Sequence, residues 1–183
     1  MRVITGSARG RKLKTLEGQD VRPTTDKVKE SLFSALQFDL EGRRVLDLFA
    51  GSGQLGIEAL SRGAEKAVFT DSSKAAIAVV RKNLAATGLE KRAGVMLTDA
   101  LTYLRSTPDR FDVAFLDPPY GTGLLQQAMA LIPRVMSDYG VIACEHPSEE
   151  TLPEELGAFA VYRHYRFGKI TVTVYRKREQ KDE

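Results

Sequence analysis

Apolar positions along this chain follow two rhythms. Val45-Leu46-Asp47-Leu48-Phe49, Ala67 to Thr70, Val95 to Thr98, Phe111 to Leu116 and Val141 to Cys144 are short runs that read as strands. Between them Gly53 to Ser61, Lys74 to Ala86, a short stretch through Leu104, and Leu124 to Met136 carry helical spacing. Apolar strands alternating with helices indicate a parallel sheet covered on both faces, because each crossover helix packs back onto the sheet. The two ends differ. Phe159 to Phe167 and Ile170 to Tyr175 flank Gly168-Lys169, a connection too short for a parallel crossover, so they form an antiparallel hairpin. Upstream, Arg2 to Thr5 and Lys12 to Thr15 read as two short strands around Gly6 to Gly10. Arg22-Pro23-Thr24-Thr25-Asp26 then starts a helix, capped by Thr25 or Asp26, with Val28, Leu32, Phe33 and Leu36 spaced along it as far as Phe38. The expected architecture is α/β: a mostly parallel, doubly wound sheet ending in an antiparallel hairpin. Residues 1–21 would be a small N-terminal β-hairpin extension and residues 22–183 the main domain.

Length and composition narrow the class. A chain of 183 residues, 43% hydrophobic and 28% charged, suits one domain with a small appendage and a substantial core. No apolar run approaches the ~20 residues of a membrane span, and no apolar signal segment follows Met1-Arg2-Val3, so a cytoplasmic protein without membrane partners is expected. Cys144 is the sole cysteine, which excludes an internal disulfide; no Cys/His spacing points to zinc, and no metal is expected. Cys144 itself reads as a packing residue in an apolar run. His146 and His164 show no ligand spacing.

The net charge of +3 is unevenly spread. Residues 1–14 hold Arg2, Arg9, Arg11, Lys12 and Lys14 with no acid, and residues 162–178 hold Arg163, Arg166, Lys169, Arg176, Lys177 and Arg178, again with no acid. Clustered cations gain affinity for a polyanion by releasing its counterions; two solvated basic ends are the plainer alternative.

Gly51-Ser52-Gly53-Gln54-Leu55-Gly56 follows a strand and opens a helix, matching the glycine fingerprint of nucleotide-cofactor sites. A plain strand-to-helix turn would look the same, and both NAD and S-adenosylmethionine are candidates. Asp47, four residues before Gly51, favours S-adenosylmethionine: a carboxylate there is unhelpful beside a pyrophosphate but suits a cationic aminoacyl group. Asp71, twenty residues after Gly51, is placed to accept ribose hydroxyls in either case. Asp99, after the third strand, is placed to meet an adenine amino group or to cap the helix that follows.

Asp117-Pro118-Pro119-Tyr120 closes the fourth strand. Two prolines remove two backbone donors and fix φ, so pairing must stop there. The Asp117 carboxylate and Pro118 carbonyl can then each accept one N–H of an exocyclic amine. Such an amine is a poor nucleophile because its lone pair is delocalised; orientation toward a sulfonium methyl would supply most of the gain. Tyr120 can stack on the base, a contact worth ~1–3 kcal/mol. Glu145, ending the next strand, stands near the same edge, as a site residue or as half of a salt bridge.

These segments together resemble a known family. Leu46 to Gly53, Gly56-Ile57-Glu58-Ala59-Leu60-Ser61-Arg62-Gly63-Ala64, Asp117 to Tyr120, the leader Arg9-Gly10-Arg11-Lys12-Leu13 with Arg22 to Asp26, and the closing Tyr165 to Arg176 resemble the RsmD-type 16S ribosomal RNA guanine-966 N2-methyltransferases over nearly the whole chain. The tetrapeptide alone is shared with adenine, cytosine and glutamine amino-methyltransferases; the leader and glycine segment are more specific. The resemblance implies a Rossmann-like class I methyltransferase fold, S-adenosyl-L-methionine as cofactor, and 16S rRNA within a small-subunit particle as partner of a monomeric enzyme. It places the cofactor at Asp47, Phe49, Ala50, Gly51, Ser52, Gly53, Asp71, Ser72, Asp99 and Ala100, and the reacting amine at Asp117, Pro118 and Tyr120. Substrate contacts would come from Arg9, Arg11, Lys12, Arg22, Pro119 and Tyr120. Gln54 stands where a small residue is expected, and Thr70-Asp71-Ser72 departs from the usual flanks while keeping the acid. An amino-methyltransferase of the same fold acting on another nucleobase or on a protein glutamine is the nearest alternative. An NAD oxidoreductase leaves the tetrapeptide unexplained, and a non-catalytic RNA-binding protein would not need Asp117 and Tyr120.

Overall fold

Phe111-Asp112-Val113-Ala114-Phe115-Leu116 is buried at every position but Asp112, as a strand covered on both faces must be. It forms β4 in the middle of one eight-stranded sheet. The computed structural model describes residues 1–17 and 25–179. In chain order the elements are α1 (Thr25–Ala35), β1 (Arg44–Asp47), α2 (Gln54–Ser61), β2 (Lys66–Asp71), α3 (Lys74–Thr87), β3 (Ala93–Leu97), α4 (Ala100–Ser106), β4 (Phe111–Leu116), α5 (Leu124–Leu131), β5 (Met136–Pro147), β6 (Glu155–Leu156), β7 (Phe159–Phe167) and β8 (Ile170–Lys177). The strands lie in the order β3-β2-β1-β4-β5-β8-β7-β6. The first five are parallel, and β8, β7 and β6 join antiparallel. This is the doubly wound sheet with a closing antiparallel hairpin that the sequence predicts. The winding reverses between β1 and β4, which opens a crevice at their carboxyl ends.

Alternation along the strands divides the core. Phe115 faces one cluster, with Phe33, Leu36, Ile57 and Phe69, beneath α1 to α3. Ala114 and Leu116 face the other, with Leu104, Met129, Ile132 and Tyr175, beneath α4 and α5. Cys144 is fully buried in the second cluster, as a packing residue should be, and burial pushes its thiol well up.

Several boundaries differ from expectation for local reasons. The first helix ends at Ala35, and residues through Phe38 form a turn closed by Asp39 N–H on Leu36 O at 2.8 Å. The helix from Leu124 ends at Leu131 because Pro133 has no N–H to give; Ile132–Val135 is a single 3-10 turn. Met136, expected to finish that helix, starts β5. That strand runs well beyond Val141–Cys144, because its pairing with β4 skips from Phe111↔Met136 to Val113↔Val141. The intervening Ser137 donates its hydroxyl to Asp112 at 2.7 Å.

The leader meets itself at one antiparallel bridge, Arg2 with Lys12, rather than as two paired strands. It lies along α2, and Val3, Ala8 and Leu13 join the first core cluster. Fully buried Glu58 accepts the amides of Ile4 at 3.0 Å and Thr5 at 3.2 Å, and Arg62 pairs with the same carboxylate at 3.0 Å. The Ser61 hydroxyl donates to Thr5 O and accepts from Ala8 N. Gly6, at φ +95°, passes so close that a Cβ would stand 1.9 Å from Ser61 O, which leaves glycine as the residue that fits. The expected helix start at Arg22, Pro23 and Thr24 lies outside the described residues. No described helix is long and apolar enough to cross a membrane.

Candidate active site

A cleft of about 580 Å³ opens at the carboxyl ends of β1, β2 and β4. Its floor is the loop Phe49-Ala50-Gly51-Ser52, held from both sides. Ala50 N–H donates to Thr70 O at 3.0 Å, and the Thr70 hydroxyl donates to Leu48 O at 2.6 Å, so the unusual threonine before Asp71 braces the loop. Gly53 takes φ +82° as the N-cap of α2, a left-handed turn that glycine adopts without a Cβ penalty. It is buried behind the loop, with Val80 and Phe69 nearest, and is not part of the cleft wall.

Two carboxylates fix the loop's ends. Asp71 accepts Gly51 N–H at 3.0 Å on one oxygen and Ser73 N–H at 2.9 Å on the other, which ties the glycine loop to the start of α3. Asp47 is 2% exposed and accepts Gly56 N–H at 3.0 Å. Burial pushes its carboxyl up to about 7; the Gly56 N–H pulls it down, and nearby Asp71 pushes it further up. Asp99 caps α4, accepting Thr102 N–H at 2.9 Å, and also lines the cleft, so its two expected roles are compatible. Ser72 and Ala100 complete that wall.

Asp117, Pro118 and Pro119 line the same cleft from β4. Tyr120 does not. It turns into a neighbouring hollow of about 320 Å³, shared with Pro118, Pro119, Glu145 and Pro147. Pro118, Pro119 and Glu145 therefore form the divide between the two spaces. Glu145 lines both spaces, and its Oε1 accepts the Tyr120 hydroxyl at 3.3 Å. Gln54 also lines the cleft, and its Oε1 is buried without a hydrogen-bond partner.

The cationic positions fall elsewhere. Arg9, Arg11 and Lys12 are exposed and take no part in the cleft; Arg22 lies outside the described residues. Sequence reasoning missed what the leader contributes instead: Met1, Thr15 and Leu16 line the cleft, as do Lys29 and Leu32 of α1. It also missed Asn83. This buried residue of α3 donates to Ser52 O at 2.9 Å and Lys14 O at 3.0 Å and accepts Lys14 N–H at 2.7 Å, joining leader to glycine loop. An asparagine amid an apolar helical pattern was the available signal. His146 and His164 converge on the Thr173 hydroxyl, at 2.8 and 2.9 Å, and no metal-binding cluster occurs among the described residues.

Residues 1–176 match the protein family described as conserved hypothetical protein 95. Ribosomal RNA small subunit methyltransferase D of Escherichia coli is 34% identical over 182 residues, covering 98% of this chain and 91% of that one. Bacillus subtilis YlbH, whose name provisionally makes it an rRNA methyltransferase, is 45% identical over 183 residues, 97% of this chain and all of that one. Among solved structures, the Thermus thermophilus 16S rRNA N2 G1207 methyltransferase RsmC, in complex with AdoMet and guanosine, superposes with a TM-score of 0.73 at 25% identity. That match covers 88% of this chain and 45% of the other.

Proposed function

From the chain's membership of this family, the RsmD-type ribosomal RNA methyltransferases, to which it belongs, we propose its reaction: methyl transfer from S-adenosylmethionine to the exocyclic N2 of a guanine in 16S rRNA. The class, an S-adenosylmethionine-dependent RNA methyltransferase, follows from the family and fold. The guanine-N2 position, and guanine 966 within it, rests on the family resemblance and on the likeness to a guanine-N2 enzyme.

One observation carries the reading: the glycine loop with its two carboxylates and the Asp117-Pro118-Pro119 segment meet in a single cleft. The residues suit the cofactor. The volume lies within the range of small-molecule sites. A buried Asp47 carboxyl at about 7 and an undonated Gln54 Oε1 are groups that a cationic, N–H-bearing aminoacyl end would satisfy. Asp71, already anchored by two backbone amides, keeps lone pairs for ribose hydroxyls; Phe49, Ala50, Ser72, Asp99 and Ala100 enclose the rest. Bound there, the cofactor supplies an electrophilic methyl group on sulfonium. The chain does the remainder. The base enters by the hollow beside Tyr120, whose ring stacks on it, as in other enzymes that extrude a base. Pro119 packs at its edge. The Asp117 carboxylate and the Pro118 carbonyl accept the two amine hydrogens and aim the nitrogen lone pair across the divide into the larger cleft. Asp117 orients the amine and stabilises the positive charge that nitrogen gains, rather than deprotonating it beforehand; the surplus N–H proton, already hydrogen-bonded to the Asp117 carboxylate, leaves through it to water during or after transfer. In this reading residues 1–21 serve RNA as an extension of the catalytic domain at 22–183, with Arg9, Arg11, Lys12 and Arg22 on phosphates, and the enzyme works as a monomer on a small-subunit particle.

The test is labelled-methyl transfer to small subunits from cells lacking the enzyme, followed by nucleoside analysis. N2-methylguanosine at one site is expected; a methylated adenosine or cytidine, or label on protein, overturns the reading. In single turnover with saturating cofactor, Asp117→Ala should be slower than Asp117→Asn, and both should still bind cofactor. Wild-type rates in Asp117→Ala would remove the motif from the chemistry.

A further inference from the structure

The hairpin of β7 and β8 brings a second basic surface to the rim of the cleft. Ile170 pairs with Pro147 at the carboxyl end of β5, so the Gly168-Lys169 turn stands at the same end of the sheet as the glycine loop and Asp117. Ile170 and Val172 line the cleft. Phe167 pairs with Ile170 and Tyr165 with Val172, and paired residues of neighbouring strands share a face. Tyr165 and Phe167, both half-buried, therefore continue the cleft wall outward as an aromatic strip. Arg163 pairs with Val174 on the same face, and its guanidinium lies 5.5 Å from the centroid of the Tyr165 ring. Beyond its first residues β7 is an edge strand, since β6 pairs only with Phe159 and Ala160.

Charge divides this segment in two. Arg176 forks onto Asp39 at 3.0 and 2.9 Å, Lys177 pairs with Asp138, and Arg178 with Glu155. These three cations, at the end away from the turn, are matched. Arg163, Arg166 and Lys169, approaching the turn, are exposed and have no carboxylate partner among the described residues. The leader lines the cleft with Met1, Thr15 and Leu16, but Arg9 and Arg11 lie at its turn, away from the rim. That turn packs on Ser61, at the far end of α2 from the glycine loop, and eight helical residues span ~12 Å.

We propose that the exposed edge and turn of the β7–β8 hairpin dock the single-stranded RNA that flanks the target base: Tyr165 and Phe167 stack on bases on the cleft-wall face with Arg163 beside them, while Arg166 on the other face of the edge strand and Lys169 in the turn meet phosphates. The proposal rests on the RNA methyltransferase reading above. Charge complementarity and continuity with the cleft wall identify the occupant.

The test compares wild type, the triple variant Arg163→Ala/Arg166→Ala/Lys169→Ala, and Tyr165→Leu, which keeps the packing but loses the stacking ring. Binding of a fluorescently labelled single-stranded 16S rRNA fragment is measured across a salt series, and cofactor binding by calorimetry. The triple variant should bind RNA at least tenfold more weakly, with a salt slope shallower by ~0.7 per lost contact. Tyr165→Leu should lose about fivefold with the slope kept. Cofactor affinity should stay within twofold in both. For small subunits KM should rise in the triple variant while the single-turnover rate at saturation holds. RNA affinity and salt slope equal to wild type in the triple variant overturn the proposal. The binding series decides this independently of catalysis, so a wild-type enzyme that transfers no methyl group to RNA would sink the functional reading alone.

Discussion

Asp47 lies in the strand before the glycine loop, where a buried carboxylate has one backbone N–H and no cation to offset its desolvation. Its carboxyl, raised to about 7, binds a proton in the folded chain that the unfolded chain releases near pH 4. Its contribution to folding is thus fully present below pH 4 and is lost as pH rises through 7. A cationic group bound beside it reverses the preference and favours the ionised form. S-adenosylmethionine should then bind about fivefold more tightly at pH 7 than at pH 6, because only the ionised fraction is competent. Asp47→Asn can still accept the Gly56 N–H but has nothing to titrate. Its affinity should be lower and flat over this range, while its melting temperature at pH 8 should rise. Calorimetry giving the wild-type pH slope in Asp47→Asn would show that some other group governs it.

At the scale of elements, the alternating strands and helices were legible because burial on both faces of the central strands leaves them almost wholly apolar. Phe111–Leu116 was read without error for that reason. The start of β5 was hidden because Ser137-Asp138-Tyr139-Gly140 skips the pairing with β4 and so carries no alternating pattern. That the glycine loop and Asp117 meet in one cleft was readable because both stand at the carboxyl ends of parallel strands, where a doubly wound sheet opens its crevice. The leader's attachment was not. Glu58 and Asn83, polar residues in the helices α2 and α3, are both buried beneath it, and the backbone groups they hold have no sequence signature of their own. Asn83→Ala would leave Ser52 O and both backbone groups of Lys14 without their partner, a loss of ~1–3 kcal/mol for each group left buried. Hydrogen exchange should show Lys14 and the neighbouring leader amides losing protection while β4 keeps its own, and cofactor affinity should fall with them. Unchanged leader protection would show that apolar contacts of Val3, Ala8 and Leu13 suffice to hold it.

On the scale of the whole molecule, two clusters of exposed cations, one in the leader and one in the β7–β8 hairpin, stand apart from each other. The leader's turn carries Arg9 and Arg11 toward the far end of α2, with Lys12 on the returning arm opposite Arg2, while the hairpin turn with Lys169 stands at the rim of the cleft and Arg166 close by. A short RNA whose target base occupies the hollow beside Tyr120 can reach the rim but not the leader's turn. A folded subunit, with phosphates on many surfaces, can reach both. Replacing Arg9, Arg11 and Lys12 together by alanine should therefore separate the two kinds of substrate. Affinity for small subunits should drop, with a salt dependence flattened by roughly 0.7–0.9 of a unit per lost phosphate contact. A short single-stranded oligonucleotide around the target should bind the variant as it binds the wild type, and cofactor affinity should not move, since none of the three residues lines the cleft. The measurement is the salt series run on both substrates with both proteins. An equal loss on the short oligonucleotide would mean that RNA folds back along α2 from the cleft to the leader. No loss on subunits would leave the leader as a structural wall of the cofactor site, with the hairpin carrying the contact to RNA.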